Sequence, residues 1–209
     1  MTTSTTTTTN NTLHLSEDDT ASFIAAVKAV ATSASTDQAR AILCNVLIEI
    51  SDNEIKLSAT NSYMLTIVTL SGPTWINNIN AKFHVVAKHL VKAMPTGTKN
   101  HMSLEVTDGV FVINSESKID HLSMQAGEFP NIKGLTSGYE KVTDKLGVDF
   151  ALNPKFASTL LKQAEVFRGK NSEAPVVIKA AETHMKPIHM KCNVIDRGEW
   201  YALIMPVRL

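Results

Sequence analysis

The sequence predicts an α+β fold in which one structural unit, a strand followed by a helix and three further strands, occurs three times. Short runs of alternating apolar and polar residues lie between turn signals and predict the strands. Apolar residues at three- and four-residue steps predict the helices. The same order of elements returns at intervals of roughly 60 to 70 residues, which indicates a repeat of structure and not of letters.

The composition limits the classes of function. The 209 residues include 20 Lys and Arg and 20 Asp and Glu, so the formal net charge is zero. A chain without net charge has no global field that attracts nucleic acid, and any basic surface must be local. Cys44 and Cys192 are far apart and form no metal or disulfide pattern, which indicates a reducing compartment. No apolar run approaches the ~20 residues that cross a bilayer.

The order of elements divides the chain into four segments. Residues 1–11, almost all Thr with Ser and Asn, have nothing to bury and are expected to be a disordered tail. Residues 12–132 contain two units and are expected to form one complete domain. Residues 133–147 are rich in glycine and charge, which suits an exposed linker. Residues 148–209 contain the third unit, which is half a domain.

The first unit begins with a strand at residues 13–15. Ser16 and Asp19 have the spacing of a capping box, although Asp replaces the usual Glu or Gln. The apolar face of the following helix is marked by Phe23, Val27, Val30 and Ala34. Three strands are expected after it, at residues 44–50, 54–59 and 63–70.

The second unit repeats this order with a strand at residues 82–86. A short helix is expected at residues 87–94, and its predicted apolar face consists of Leu90, Val91 and Met94. Asp108 and Gly109 are a strong turn signal and predict a hairpin. The strands of this unit are expected at residues 102–106, 110–114 and 118–124.

The third unit begins with a predicted strand at residues 148–152. Asn153 and Pro154 suit the N-cap and the first position of a helix that ends at Gly169. The apolar face of this helix is marked by Phe156, Leu160, Ala164 and Phe167. Strands are expected at residues 176–180, 188–194 and 200–204. Pro206 should end the last of these strands, because proline cannot donate a ladder hydrogen bond.

Catalytic patterns are weak in this chain. The seven histidines are scattered over all three units, and no zinc-protease, nucleophile-elbow or phosphate-loop motif occurs. Asp18 and Asp19 suit the N-terminus of a helix better than acid–base catalysis. The sequence therefore predicts a protein that is not an enzyme and that requires no metal or cofactor.

Several stretches of the chain resemble the bacterial sliding clamp, the beta subunit of DNA polymerase III. The chain ends in Met205-Pro206-Val207-Arg208-Leu209, which is similar to the extreme C-terminus of that family. The other similar stretches follow the order of the family and lie at residues 41–50, 54–61, 126–132 and 150–161. Family members of the usual length have three domains, or six units. This chain looks as if the first domain were joined directly to the last half-domain, which would suit a phage or a mobile element.

The resemblance implies a sliding-clamp fold, with the helices on one face of antiparallel sheets. It implies a processivity factor in the cytoplasm of a bacterial or phage-infected cell that encircles duplex DNA without sequence specificity. DNA polymerase and the clamp loader would be its partners, and no membrane would be involved. Lysines on the helices would contact DNA phosphates: Lys28, Lys88, Lys92, Lys155 and Lys162. Partner peptides would bind at the C-terminal end, at Leu203, Met205, Pro206, Val207 and Arg208.

The resemblance also implies a number of subunits. Clamp rings contain twelve such units, so a chain of three units would close a ring as a head-to-tail tetramer, which is favoured over a trimer. The sequence leaves one alternative open. A protein with this fold could be an adaptor or inhibitor that binds host replication or transcription machinery without encircling DNA.

Overall fold

The computed structural model describes residues 12–51, 53–72, 79–96, 101–136, 151–169, 172–179, 186–195 and 198–207. The tail predicted at residues 1–11 lies outside the described residues. So do most of the predicted linker and the greater part of the strand predicted at residues 148–152.

The described elements follow the predicted order. The first unit consists of β1 (Thr12–Leu15), α1 (Glu17–Ala31), β2 (Asn45–Ser51), β3 (Glu54–Thr60) and β4 (Met64–Ser71). The second consists of β5 (Ala81–Val86), α2 (Ala87–Ala93), β6 (Met102–Thr107), β7 (Val110–Ser115) and β8 (Lys118–Ser123). A short helix, α3 (Ile132–Thr136), comes next. The third unit contains α4 (Pro154–Arg168), β9 (Val177–Lys179), β10 (Ile188–Val194) and β11 (Gly198–Ile204).

The first two units exchange their first strands. β1 of the first unit pairs with β6 of the second, and β5 of the second pairs with β2 of the first. All of these pairings are antiparallel. One sheet therefore has the order β1-β6-β7-β8, and the other begins β5-β2-β3-β4. The exchange is reciprocal, so the two units form one domain with internal two-fold symmetry.

The third unit extends the second sheet. β11 pairs antiparallel with β4, in a register that runs from Glu199 opposite Thr69 to Ile204 opposite Met64. The complete sheet has seven strands in the order β5-β2-β3-β4-β11-β10-β9. Gly198 stands where β11 meets β4, with a positive φ of 123°, and a Cβ atom there would lie 2.1 Å from the carbonyl oxygen of Thr69. Only glycine fits this close approach of two backbones.

α1, α2 and α4 pack on one face of these sheets. α1 lies between α2 and α4, and it also contacts β2, β3 and β4. The largest side chains of the shared core are fully buried, and they include Phe23, Phe111, Phe167 and Trp200. Burial of each such aromatic removes enough apolar surface from water to contribute about 2–3 kcal/mol. The core spans all three units, so the third unit is packed against the first and is not merely attached by a linker.

The predicted helix signals are confirmed. Ser16 is the N-cap of α1 and its Oγ accepts a hydrogen bond from the backbone N–H of Asp19. Asn153 is the N-cap of α4, where its Oδ1 accepts from the N–H of Lys155 at 3.0 Å. Gly169 ends α4 with a positive φ of 77°, a conformation that L-amino acids with a Cβ atom rarely adopt.

The residues before β2 were predicted wrongly. The sequence predicts a strand that starts at residue 44, and residues 41–50 resemble a long clamp strand. In the structure a 3₁₀ helix occupies Gln38–Cys44, and β2 starts at Asn45. Asp37 begins this helix, because its Oδ1 accepts a hydrogen bond from the N–H of Ala39. A short apolar run is compatible with either a strand or a helix. Here the capping hydrogen bond of Asp37 favours the helix.

Two predicted helix faces and the start of the predicted linker also need correction. α1 ends at Ala31, so Ala34 packs against the core from outside the helix. Val91 of α2 is 39% exposed, whereas Ala87 and Leu90 are buried. α3 begins at Ile132, the last residue of the predicted two-unit domain, which packs against the outer face of the sheet, and it continues into the first four residues of the predicted linker.

A buried polar cluster joins α4 to the first unit. Gln163 donates from its side-chain amide to the hydroxyls of Thr32 and Ser33, at 2.6 and 3.0 Å. Thr66 of β4 donates to the Gln163 carbonyl at 2.7 Å and lies 2.7 Å from the Ser33 hydroxyl. Because each group has a partner, the cluster avoids the penalty of buried unpaired polar atoms. It also favours one alignment of α4 on α1 and β4.

We predict that Gln163→Leu lowers the free energy of unfolding by about 1–3 kcal/mol, because it removes the hydrogen bonds that join α4 to the first unit. Glu165→Leu, at an exposed position of the same helix, should change it by less than about 0.5 kcal/mol. Urea unfolding followed by circular dichroism measures both. Equal effects of the two substitutions would show that the cluster does not stabilise the junction.

Candidate functional site

The lysines predicted to contact DNA are all exposed on helices. Lys28 lies in the last turn of α1, Lys88 and Lys92 lie on α2, and Lys155 and Lys162 lie on α4. Within the described part of the chain none of these five side chains takes part in an ion pair. Their charges are therefore available to a polyanion.

The structure brings two of these lysines together. Lys28 and Lys88 line one groove of about 860 Å³ between the end of α1, the 3₁₀ helix and the start of α2. His89 and Val91 also line it, and most of its remaining surface is apolar. The sequence did not single out His89, although it lies between Lys88 and Lys92 on the same short helix.

Lys92 lies in a second hollow, where β8 meets α2. His89, His121 and Asp120 line this hollow as well. Lys118 Nζ donates to the carbonyl oxygen of Lys92 at 2.7 Å and pairs with Asp120 at 2.9 Å. Lys118 thus adds a second ammonium group close to Lys92, and Asp120 partly neutralises it. No periodic pattern in the sequence predicts this contact, because it joins a helix end to a strand 26 residues away.

Lys155 and Lys162 are separate from the groove. They are seven residues apart, or about two turns, so they share one face of α4. Glu165 is the one acidic residue of α4, and the acidic residues of α1 are confined to its first turn. The exposed surface of the three helices beyond that first turn therefore carries mostly positive charge, although the chain as a whole is neutral.

The predicted peptide-binding residues do not share one environment. Leu203 is only 4% exposed, because it lies on the outer face of the sheet in a second apolar cluster with Leu65 and Tyr201. Phe129 and Ile132 cover this cluster. Leu203 can therefore support a surface but is not itself open to a peptide in this structure.

Segment 124–132 crosses the outer face and is fixed by His84 of β5. His84 Nε2 lies 3.1 Å from the carbonyl oxygen of Gly127, and His84 Nδ1 lies 3.1 Å from the Asn45 side-chain amide. A ring that donates from Nε2 and accepts at Nδ1 satisfies both contacts. The ring also packs at 6.0 Å from that of Phe129. This residue, which the sequence left among scattered histidines, thus holds the cover of the outer cluster in place.

Met205 and Val207 belong to an exposed apolar surface at the end of the chain. The N–H of Met205 donates to the carbonyl oxygen of Tyr63 at 3.0 Å, and that of Val207 donates to Ala151 at 2.8 Å. The exposed ring of Tyr63 stacks on Phe156 with a centroid distance of 5.8 Å. Pro206, between the two exposed side chains, is half-buried. We call Tyr63, Phe156, Met205 and Val207 the C-terminal patch.

The remaining predicted residue, Arg208, lies outside the described residues. Tyr63 and Phe156 of the C-terminal patch were not predicted as site residues. Their sequence signal is weak, since an aromatic residue at the start of a strand or helix is usually part of the core.

His189 is a buried ionisable group beside the outer cluster. It stands opposite Leu203 on β10, and its Nδ1 lies 2.5 Å from the hydroxyl of Tyr201. Burial lowers the pKa of His189 below its ordinary value of 6.5, and the positive charge of Lys179 acts in the same direction. A neutral ring can accept a hydrogen bond from the Tyr201 hydroxyl at Nδ1.

Within the described ranges, no three His, Cys, Asp or Glu side chains lie close enough to hold a metal ion. Cys44 and Cys192 are both free and buried, and burial raises the pKa of the Cys192 thiol. No helix in the described part of the chain is both long and apolar enough to cross a bilayer.

A match to a known protein family covers more than half of the chain. Residues 18–131 match the family described as "DNA polymerase III beta subunit, central domain". The chain belongs to the DNA polymerase III beta subunit family. The match corrects the expectation that the two-unit domain corresponds to the first domain of the family. The two-unit domain of this chain matches the central domain of the family instead.

Solved structures show the same fold. A putative DNA polymerase III beta subunit from Eubacterium rectale aligns with a TM-score of 0.73 at 15% identity. The beta subunits from Thermotoga maritima and Streptococcus pneumoniae align with TM-scores of 0.72 and 0.71, at 15% and 18% identity. Each alignment covers 100% of this chain and 67–68% of the other chain. The predicted α+β sliding-clamp fold is thus confirmed in a chain about two thirds as long.

We predict that the free energy of unfolding decreases as the pH is lowered below about 6.5. The unfolded chain takes up a proton on His189 near that pH, whereas burial opposes protonation in the folded chain, so acid favours unfolding. His189→Gln removes this contribution. Urea midpoints measured at about pH 7.5 and about pH 5.5 should differ less in this variant than in the parent. The same difference in both proteins would assign the acid sensitivity to other groups.

We also predict that the C-terminal patch can be changed without loss of folding, because both substituted side chains are exposed. Met205→Ala with Val207→Ala should shift the thermal midpoint by only a few degrees. The same double substitution should weaken binding of a cognate polymerase C-terminal peptide about tenfold or more in a fluorescence titration. Leu203→Ala is the matched comparison and should lower stability by about 2–4 kcal/mol. Unchanged peptide affinity in the double variant would remove the patch as a binding site.

Proposed function

We propose that this protein is a sliding clamp, a processivity factor without catalytic activity of its own that encircles duplex DNA and tethers a DNA polymerase. The observation that best supports the proposal is the common placement of α1, α2 and α4. These helices pack on one face of the sheets and carry five exposed lysines, none of which is in an ion pair among the described residues. The relatives with this fold are named as DNA polymerase III beta subunits.

The charge distribution suits a protein that slides. A neutral chain has little long-range attraction for DNA, and single lysines on separate helices make phosphate contacts that salt easily weakens. Such contacts carry no sequence information. Retention on DNA would therefore come from enclosure, with the lysines keeping the duplex centred in the hole. A protein that bound through its charge alone would need a stronger basic surface.

The partner side of the proposal rests on the C-terminal patch. Met205 and Val207 present apolar surface beside the stacked rings of Tyr63 and Phe156. An apolar surface with a few polar groups suits a short peptide. We infer that DNA polymerase and the clamp loader bind here. The cytoplasm of a bacterial or phage-infected cell is the location that these partners require.

A closed ring requires several chains. Twelve units, the number that the family resemblance implies, correspond to four chains of three units each, and we propose a tetramer in preference to a trimer.

The exposed C-terminal patch and the zero net charge also suit the second candidate, an adaptor that binds replication or transcription machinery without encircling DNA. The mass in solution separates the two, since a monomer at micromolar concentration could not enclose a duplex.

We predict that charge reversal at one lysine of each helix, Lys28→Glu, Lys88→Glu and Lys162→Glu, weakens retention on DNA. The test compares a linear duplex whose ends are blocked with the same duplex with free ends. A clamp is retained on the blocked duplex and slides off the free one. Loss of three phosphate contacts should reduce the slope of log retention against log salt by about two to three.

The control reverses the three other exposed lysines of the described residues, Lys82 on β5, Lys133 on α3 and Lys186 before β10, which lie outside α1, α2 and α4. Both triple variants change the net charge equally, so the comparison separates local contacts from the overall field. An equal loss in the two variants would argue against a dedicated DNA surface. Equal retention of the parent on blocked and free ends would instead argue against encirclement and favour the adaptor.

A further inference from the structure

The third unit has no partner of its own kind within the chain. The first and second units complete each other by exchanging β1 and β5, and α1 and α2 pack together across that exchange. In the described residues the third unit has a helix followed by three strands, as the other units have, and it adjoins the first unit through the β4–β11 pairing and the packing of α4 on α1. The chain therefore contains one complete domain and one half-domain.

Exposed apolar side chains are concentrated in this half-domain. Among the described residues, ten large hydrophobic side chains are exposed, and three of them, Tyr63, Val91 and Ile119, belong to the two-unit domain. The other seven lie in the third unit, at Leu161, Val166, Val177, Ile178, Ile195, Met205 and Val207. Apolar residues at this density on a small unit indicate a surface that another protein covers.

Part of this exposed surface forms one open side. Gln163 directs one flank of α4 toward α1, and Leu161, two positions earlier, is on nearly the opposite flank and is 45% exposed. β9 is the outermost described strand of the seven-stranded sheet, and its Ile178 is 50% exposed. We call Leu161 and Ile178 the open side of the third unit, because Ile178 lies opposite the core residue Met190 and so faces the helix layer, whereas its neighbour Val177 faces the other side of the sheet. The open side lies away from the side that β4 and α1 occupy.

We propose that the open side binds the open side of the third unit in a second copy of this chain, around a two-fold axis. The two-unit domain provides the precedent, because there two units with this order of elements complete each other reciprocally. A surface that meets its own copy is self-complementary, which is the condition for a two-fold contact. Two half-domains from two chains then make one complete domain, and the apolar side chains of both become buried.

The same reasoning predicts a contact for the second unit. Where units meet without exchange, the last strand of one pairs with the last strand of another, as β4 pairs with β11. β8 is the last strand of the second unit, it ends the four-stranded sheet, and Ile119 on it is exposed. Its counterpart is therefore the β8 of another chain, also around a two-fold axis. Four chains close a ring by alternating these two contacts, and this arrangement replaces the head-to-tail order expected from the sequence.

Cysteine cross-linking distinguishes the two arrangements. In a two-fold contact a residue near the axis meets its own copy, so Leu161→Cys should give a disulfide-linked dimer under mild oxidation. In a head-to-tail ring Leu161 faces a different surface and gives none. Lys82→Cys, on the outer face of the sheet, and the parent chain with its two buried cysteines are the controls and should remain unlinked. The yield should be unchanged on dilution, because the contact precedes oxidation.

Solution mass provides the second measurement. Leu161→Glu with Ile178→Glu should reduce the assembly from four chains to two, and Ile119→Glu should also leave two. Combination of all three should give a monomer. All three side chains are exposed, so the variants should keep the circular dichroism of the parent. A tetramer without the Leu161 cross-link, or a mass unaffected by the substitutions, would overturn the inference. A dimer that cross-links but is not retained on DNA would reject only the proposed function.

Discussion

The pairing of β4 with β11 is the interaction on which the rest of the structure depends. Six residue pairs, whose members are 130 to 140 residues apart in sequence, join β4 to β11 and turn the sheets of two units into one sheet of seven strands. The pairing also places α4 beside α1, so the lysines of three helices lie on one face of the sheets. Closure of so long a loop is entropically unfavourable, and the apolar core around Trp200 must offset it.

The two faces of this junction are packed differently. On the helix side, Gln163, Ser33 and Thr66 form a buried cluster in which each group is hydrogen-bonded. On the outer side, Tyr201 stands opposite Ile67 and Leu203 opposite Leu65, in purely apolar contact apart from the Tyr201 hydroxyl. Apolar burial on both faces supplies most of the free energy, with Trp200 and Ile204 in the helix-side core and Tyr201 and Leu203 in the outer cluster. The polar cluster favours one position of α4, because a shift of α4 would separate Gln163 from Ser33 and Thr66.

The sequence predicted most of the elements because their signals are local. Asn153 with Pro154 and Asp108 with Gly109 act over a few residues, and alternation identified the strands of all three units. The errors arise where distant residues decide. Leu203 was predicted to be open to a partner peptide, but Phe129 and Ile132 cover it from a segment some 70 residues away. Val91 fits the apolar period of α2 and yet is exposed, since a helix of only seven residues presents few side chains to the core. The lysines could be placed on helices from the sequence, whereas the groove shared by Lys28 and Lys88 could not.

A chain with an odd number of units cannot bury all of its exchange surfaces internally, and this affects how it assembles. Two units satisfy each other by strand exchange, so a chain with an even number of units can bury its exchange surfaces internally. A third unit always leaves one such surface exposed, and the apolar residues of the open side make that exposure unfavourable in water. Association of two chains removes this surface at a loss of translational and rotational freedom of several kcal/mol. Burial of two large side chains from each chain, at about 1.5–3 kcal/mol each when complete, is of the size needed to offset that loss. The half-domain therefore favours association of this protein without requiring an additional domain.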